Sequence, residues 1–448
     1  MRAALEGLIA AALAGLRPFP SPRMGRGVAS RSDAGVRVSP LPPPYHRPGG
    51  WHYRAPQAPL PPPRRILVVK LFALGDMLNV TPALRALRER FPDARLDVLT
   101  TRQGALALAR SPHVDDILIF EKGLFDRVGE SFTPRAVFAG LRFALTLRRR
   151  RYDTLLLLHH LITTWGTLKY ATLALWSGAR VRVGLDNGRG WFLTHRARDR
   201  GFGTFTERRY WLQVAAIIGA TSDDDRPHFT VTDADRAAGA RLLAPGRTPN
   251  GGPLVVIHPT NGPYAPGRQW SPERFAAVAD RLARDTGATI ALVGVASEAA
   301  GIARVAAAMR TPALNLAGRT DLATLAGVLT QAALLLGNDS SVGHLAAALG
   351  VPTLVVFGPS NERAWLPWGA QTVVLPPAGL PPQAPFPAGT ALAVRSAAPQ
   401  APCLYVGFGP GNPHGCPDCH CLDLITAEQV VPIATHLLAP SVARSALG

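Results

Sequence analysis

What most limits the fold of this chain is a pattern of short apolar runs, each of strand length and each followed by a helical stretch. It occurs in two successive series. The first holds "ILVVKL" (66–71), "LDVLT" (96–100), "DILIF" (116–120) and "TLLLL" (154–158). These runs lack the polar alternation of a sheet with one wet face, so both faces are covered, as in a parallel sheet between helical layers. Between them "PALRALRERF" sets Leu84, Leu87 and Phe91 on one helical face. The pattern pauses at the Gly/Pro-rich "LLAPGRTPNGGP" (242–253), which reads as a linker. The second series then brings "LVVIHP" (254–259), "TIALVG" (289–294), "ALNLAG" (313–318), "ALLLGND" (333–339) and "TLVVFGP" (353–359). The expected fold class is α/β, with two doubly wound domains facing a central cleft at the carboxyl ends of their strands. The first domain is expected over residues 64–243, the linker over 244–253 and the second domain over 254–448.

At 448 residues the chain is long enough for two such cores. Residues 1–63 differ from the rest. "ALEGLIAAALAGL" (4–16) can form a short apolar helix, and a Pro/Arg/Ser/Gly stretch follows that cannot bury enough surface to fold alone. Glu6 interrupts the apolar start, so a solvated or membrane-surface leader fits better than a signal peptide. No segment has the ~20 consecutive apolar residues of a membrane span. The net charge of +18 invites a nucleic-acid reading, which we set aside. Lysine occurs only at 70, 122 and 169, and the remaining positive charge is arginine scattered through Ala-, Gly- and Pro-rich sequence. Attraction to anionic membrane surfaces or phosphorylated ligands remains expected.

Four stretches carry candidate chemistry. In "LLLGNDSSVGHLAAALGVPTLVVFGPSNERAW" (334–365) a strand ends at Gly337, and Asn338, Asp339, Ser340 and Ser341 lead into a helix. A helix N-terminus offers unpaired N–H donors and partial positive charge, so it suits a pyrophosphate, with His344 one turn in facing the same ligand. The same residues also fit a well-capped helix of any α/β protein. In "VVIHPTNGPYAPGRQWSPERF" (255–275) the loop after the strand presents Thr260, Asn261 and Arg268, suited to a phosphate through charge-assisted contacts. An ordinary surface connection is the alternative. Glu298 follows the next strand, where it can accept from ribose hydroxyls or simply favour a helix start. In "VVKLFALGDMLNVTPALRAL" (68–87) Asp76 follows the first strand. It reads either as a helix-capping aspartate or as a carboxylate able to take a proton from a sugar hydroxyl. No G-x-G-x-x-G follows either first strand, which disfavours a nicotinamide dehydrogenase.

From Arg65 to Val431 the order and spacing of these stretches resemble the ADP-heptose:lipopolysaccharide heptosyltransferases of glycosyltransferase family 9. "LFALGDMLNVTPALRALRERFPDARLDVL" is similar to the family's opening "LGD" motif. "GNDSSVGHLAAALGVPTLVVFGP" is similar to its more specific G-N-D-S-G-x-x-H-L-A-A-A-L-G-x-P. The resemblance implies a GT-B fold of two Rossmann-like domains and an inverting transfer of heptose from ADP-heptose to a lipopolysaccharide-core acceptor. It implies Asp76 as catalytic base, and Arg268 as the basic contact to the donor phosphates. Glu298 would meet the nucleoside, with Asp339, Ser340, Ser341 and His344 forming the donor-binding turn. No cofactor beyond the nucleotide sugar is implied. The enzyme would act on a glycolipid at the cytoplasmic face of the inner membrane, as a peripheral protein that binds no nucleic acid. Ser341 replaces the family's usual glycine, "HHL" (159–161) stands where an acid and a glutamine are common, and the leader is additional. The rival reading is a non-catalytic nucleotide-sugar or glycolipid-binding protein, or a related transferase with another glycan or protein acceptor.

All four cysteines (Cys403, Cys416, Cys419 and Cys421) fall in one segment similar to a cysteine-bearing stretch before the family's last helix. With His414 and His420 nearby they form a candidate structural Zn²⁺ site, but Cys-x-Cys is unusual for structural zinc, and free thiols or local pairing fit better.

Overall fold

The computed structural model describes residues 60–125, 131, 133–247, 251–262, 266–377, 380–382, 384–387, 389–411 and 421–439. Residues 1–59 of the leader, Cys416, Cys419, His414 and His420 therefore lie outside the described residues, as do residues 440–448.

Two all-parallel sheets organise these residues. The first contains β1 (Arg65–Val69), β2 (Arg95–Thr100), β3 (Asp116–Ile119), β4 (Thr154–Leu157), β5 (Val181–Asp186) and β6 (His195–Arg198), in the order β3-β2-β1-β4-β5-β6. The second contains β7 (Leu254–His258), β8 (Thr289–Leu292), β9 (Ala313–Asn315), β10 (Leu334–Asn338), β11 (Thr353–Phe357), β12 (Ala370–Leu375) and β13 (Ala391–Ser396). Its order is β12-β13-β11-β10-β7-β8-β9. All nine strands expected from apolar runs are present. The register is direct: Ile66 pairs with Leu96 on one side and with Thr154 on the other.

Both faces of the sheets are covered, as uninterrupted apolar strands require. In β1, Ile66 and Val68 join one core cluster and Leu67 and Val69 another, all at most 1% exposed. Each such side chain contributes about 1.5–3 kcal/mol on burial. The helix Thr81–Arg90 buries Leu84 and Leu87 completely, and Phe91 closes it with 8% exposure.

Four strands escaped the apolar-run pattern, for physical reasons. β5 "VRVGLD" carries Arg182, whose guanidinium bonds the Phe192 and Ala179 carbonyls. β6 "HRAR" and β12 are edge strands, where one row of neighbours is missing and polar or half-exposed residues suffice. β13 "ALAVRS" is short on β-branched residues but is buried between β11 and β12.

The helix Asp233–Leu243, which the sequence assigns to the end of the first half, lies against Leu322–Leu329 of the second. Gly239 and Gly327 face the opposing backbone there so closely that a Cβ on either would collide with it. The helices therefore cross at backbone distance.

Candidate active site

In each sheet the chain winds outward from its first strand and then returns on the other side of it. The reversals lie between β1 and β4 and between β7 and β10. Open parallel sheets bind ligands in the crevice outside such a switch point, because the loops after the two strands part there. The residues singled out by sequence follow these strands: Asp76 after β1, Thr260 and Asn261 after β7, and Asp339 to Ser341 after β10.

At the first switch point Asp76 sits in the first turn of the helix Leu74–Leu78, whose N-cap is Ala73. The cap reading therefore fails: Asp76 lies inside the helix, and its carboxylate faces charge. Oδ1 is 3.8 Å from Lys70 Nζ at the end of β1. That ammonium is 2% exposed, stands 3.5 Å from Glu207 Oε2 and lies 4.1 Å from the centre of the Trp211 ring. Glu207 in turn holds His160 Nε2 at 3.0 Å, and His160 Nδ1 meets Asp199 at 2.9 Å. Asp199 also accepts the Gly201 N–H at 2.8 Å.

A chain of alternating charge thus runs Asp199, His160, Glu207, Lys70, Asp76. Burial alone would discharge the imidazole, but Glu207 and Asp199 outweigh it and hold His160 up at about 9. Burial would raise Glu207, yet His160 and Lys70 keep it below the ordinary glutamate value. For Asp76 the balance goes the other way. Burial, aided by Glu207, raises its pKa against the pull of Lys70, a hydrogen bond from Trp365, and Arg268. A carboxylate so placed is a stronger base than a solvated aspartate.

At the second switch point the groups are arranged for hydrogen bonding. His258, buried at the end of β7, bonds Ser340 Oγ through Nδ1 at 3.0 Å and approaches Glu298 Oε2 through Nε2 at 3.4 Å. Glu298 also accepts the Val295 and Gly262 N–H groups at 2.9 and 3.0 Å. Burial opposes its charge, but His258, these donors and Thr260 bring its pKa down to about 2. Ser340 is the N-cap of the helix Ser341–Ala348 but makes no side-chain cap bond, since His258 holds its hydroxyl. The capping role expected of this turn is therefore absent. The first N–H groups of the helix gain no partner from that side chain.

Arg268 pairs with Asp339 at 3.1 Å through Nη1 and leaves Nε buried without a partner. Both side-chain atoms of Asn261 and Nδ1 of His344 are likewise buried and unpartnered. Burial, with Arg208 nearby, pushes His344 down to about 4 against the pull of Asp339, so its imidazole is neutral at pH 7.

The two switch points meet. A Cβ built on Gly75 would lie 3.2 Å from Ser341 Cα and 3.3 Å from His344 Cδ2. The lone glycine of "LGD" therefore lets the first loop close on the helix of the second half, and Ser341 is the residue opposite. Trp365 reaches from the second half to Asp76, and its ring packs 4.5 Å from Tyr405 and 5.3 Å from Phe202. The buried Arg208 donates to Asn79 Oδ1 at 3.2 Å and to the Leu366 carbonyl at 2.7 Å, tying the halves together.

The structure thus gathers Asp76, Arg268, Asp339, Ser341 and His344 around one junction, with Thr260, Asn261, Glu298 and Ser340 on the loops beside it. Sequence reasoning missed Lys70, His160, Asp199, Glu207, His258 and Trp365. Lys70 interrupts an apolar strand, which is an available signal, while Asp199 and Glu207 carry no local mark. Cys421 is buried and Cys403 half-buried. Among the described residues no cluster of His, Cys, Asp and Glu is arranged to hold a metal ion.

Comparison with known proteins places this geometry. The family described as Glycosyltransferase family 9 (heptosyltransferase) matches residues 141–386, more than half of the chain. Lipopolysaccharide heptosyltransferase 3 of Escherichia coli K12 is 28% identical over 306 residues, spanning 66% of this chain and 82% of that protein. A solved glycosyl transferase family 9 structure from Veillonella parvula is 22% identical, covering 84% of this chain and 97% of its own, with a TM-score of 0.62. The structure of E. coli ADP-heptose lps heptosyltransferase II is 20% identical and covers 84% and 98%, with a TM-score of 0.60. These structural likenesses establish the fold, the GT-B pairing of two Rossmann-like α/β domains expected above.

Proposed function

Since the chain belongs to glycosyltransferase family 9, we propose that this glycosyltransferase moves a heptose from ADP-heptose to a sugar hydroxyl of a lipopolysaccharide-core acceptor, with inversion, and that Asp76 is its base. The observation that carries the reading is the asymmetry of the junction. A carboxylate of raised pKa faces a helix N-terminus whose surrounding loops hold the unspent polar atoms of Asn261, Arg268 and His344.

In the proposed step the acceptor oxygen attacks the anomeric carbon and its proton passes to Asp76. The bond from that carbon to the β-phosphate oxygen breaks, so that ADP leaves with the electron pair. The leaving pyrophosphate needs positive charge, which Arg268 and the first turn of the helix Ser341–Ala348 supply. Neutral His344 adds a hydrogen-bonding group without competing for a proton. Thr260 and Asn261 are assigned with Arg268 to the donor phosphates, and Glu298 to the nucleoside. We place the enzyme at the cytoplasmic face of the inner membrane, where a glycolipid acceptor is presented. No helix among the described residues is long and apolar enough to cross a membrane.

Replacing Asp76 by Asn should lower transfer by about 10²–10⁴-fold, the usual contribution of a general base. Donor binding measured by calorimetry should be nearly unchanged. Full activity in that variant would remove Asp76 from the mechanism. A calorimetric screen of ADP-, GDP- and UDP-sugars tests the donor: preference for UDP- or GDP-sugars would overturn the ADP-heptose assignment.

A further inference from the structure

The helix Pro134–Arg149, between β3 and β4, presents an apolar stripe to solvent. Val137, Phe138, Leu141 and Leu145 are 46, 70, 58 and 58% exposed, while Ala136, Gly140 and Leu147 face the core. Single exposed apolar residues are ordinary, but a row along one helix face is not. Arg135, Arg142 and Arg149 recur every seventh residue and so form a second exposed row beside the stripe, with Arg148 at its end. From Ser131 to Tyr152 the chain has no Asp or Glu. Because the strands are parallel, this helix runs back from the carboxyl edge of the sheet, so its Phe138 end lies at the edge that carries Asp76.

We propose that this helix is an interfacial docking surface for an anionic bilayer, with its apolar stripe in the acyl boundary and its arginine row against the headgroups. An apolar face flanked by arginines and free of acids is the composition that lies in a membrane interface. Charge decides among occupants. A second copy docked about a two-fold axis would bring like arginine rows together. The leader is no better partner, because residues 1–63 hold Arg2, Arg17, Arg23, Arg26, Arg31, Arg37, Arg47 and Arg54 against only Glu6 and Asp33. An anionic surface complements both the helix and the net charge of +18. The surface rests on the proposed function only in that a lipid-borne acceptor gives it a purpose.

The test is co-sedimentation of the full chain with vesicles of phosphatidylglycerol and phosphatidylethanolamine, or of phosphatidylcholine alone. The wild type is expected to bind the first and to bind the second weakly. The pair Phe138→Glu/Leu141→Glu and the triple Arg135→Glu/Arg142→Glu/Arg149→Glu should each weaken binding roughly tenfold or more. Both should keep their circular dichroism and their transfer to a delipidated acceptor. A Phe138→Trp variant, which keeps the stripe apolar, should show fluorescence quenched by brominated lipid beyond that of the wild type. Wild-type indifference to anionic vesicles, or unchanged binding by both multiple variants, would overturn the proposal. So would a lipid-free dimer that Phe138→Glu/Leu141→Glu converts to monomer. Loss of transfer with vesicle binding intact would instead count against the proposed reaction.

Discussion

The two switch points are built from the same topology and solved by different chemistry. Around β1 and β4, ionised side chains are buried in sequence, each cation between two anions, and every member of the chain from Asp199 to Asp76 has a partner within 3.8 Å. Around β7 and β10, His258, Ser340, Thr260 and Glu298 are tied by hydrogen bonds, but Asn261, Arg268 and His344 keep polar atoms unspent. Buried charge is tolerable only when it is paired, so the charge chain of the first site has to be complete before any substrate arrives. The second can be left short of partners where a ligand will supply them, since each unpaired buried polar group costs only about 1–3 kcal/mol. A base needs a fixed environment, whereas a phosphate site needs available donors.

The largest way to break this contrast is to remove the middle of the charge chain. Glu207→Ala leaves Lys70 and His160 buried without their shared anion, and should cost about 3–5 kcal/mol in urea unfolding. The corresponding Glu298→Ala in the second half should cost less, because it removes hydrogen bonds without stranding a second buried cation. Equal losses would erase the distinction. Lys70→Met is the next test. Its ammonium opposes the raised pKa of Asp76, so its loss should move the acid limb of the pH–rate profile upward. A variant that loses rate with an unmoved limb would show that Lys70 only supports the fold.

The same contrast explains what could be read from the sequence. The second site is one strand, one turn and one helix, so "GNDSSVGHL" lies in a single contiguous stretch. Its residues stay neighbours in any α/β fold, and the apolar runs that reveal the sheet also locate the turn. The first site is assembled from β1, the loop after β4, the segment after β6 and the helix Glu207–Ala216. Asp199 is 39 residues from His160, and Glu207 is 137 residues from Lys70. Within "HRARDRGFGTFTERRYW" an acid between arginines looks like a solvated surface, and only the folded chain turns Asp199 and Glu207 inward. Asp76 was legible as a candidate because it follows the first strand, but its approach to Trp365 and Arg268 depends on how the halves meet. The Arg268–Asp339 pair joins residues 71 apart and was hidden for the same reason.

A smaller effect separates the two switch points by pH. His160 is held at about 9 in the folded chain, above the unfolded value near ~6.5, so the stability it contributes is fully present below pH 6.5 and is lost as pH rises through 9. The full contribution is on the order of 3 kcal/mol, since each tenfold gain in proton affinity is worth about 1.4 kcal/mol. His344, at the second switch point, is held near 4 and acts with the opposite sign, adding stability as pH rises from 4 to 6.5, as does His113 away from both switch points. The windows do not overlap. Urea midpoints for His160→Gln should therefore be flatter than wild type between pH 6.5 and 9 and should follow it below. A wild-type profile that is already flat across that window would mean that the imidazole is not charged by its two carboxylates.

The smallest expected effect lies where the halves touch. Gly75→Ala sets a methyl group 3.2 Å from Ser341 Cα and 3.3 Å from His344 Cδ2, so the contact must open by a few tenths of an ångström. Gly75 lies within a helix and carries no positive φ, so alanine brings a propensity gain of roughly 0.5–1 kcal/mol against this crowding. Global stability should therefore change by no more than about 1 kcal/mol, while the crowding falls on the junction between base and donor helix. Transfer should drop more than unfolding stability does, and Gly75→Ala/Ser341→Gly, which removes the opposing Cβ, should recover part of the rate. If the double variant is no faster than Gly75→Ala, the close approach of these two residues does not set the geometry between Asp76 and the second switch point.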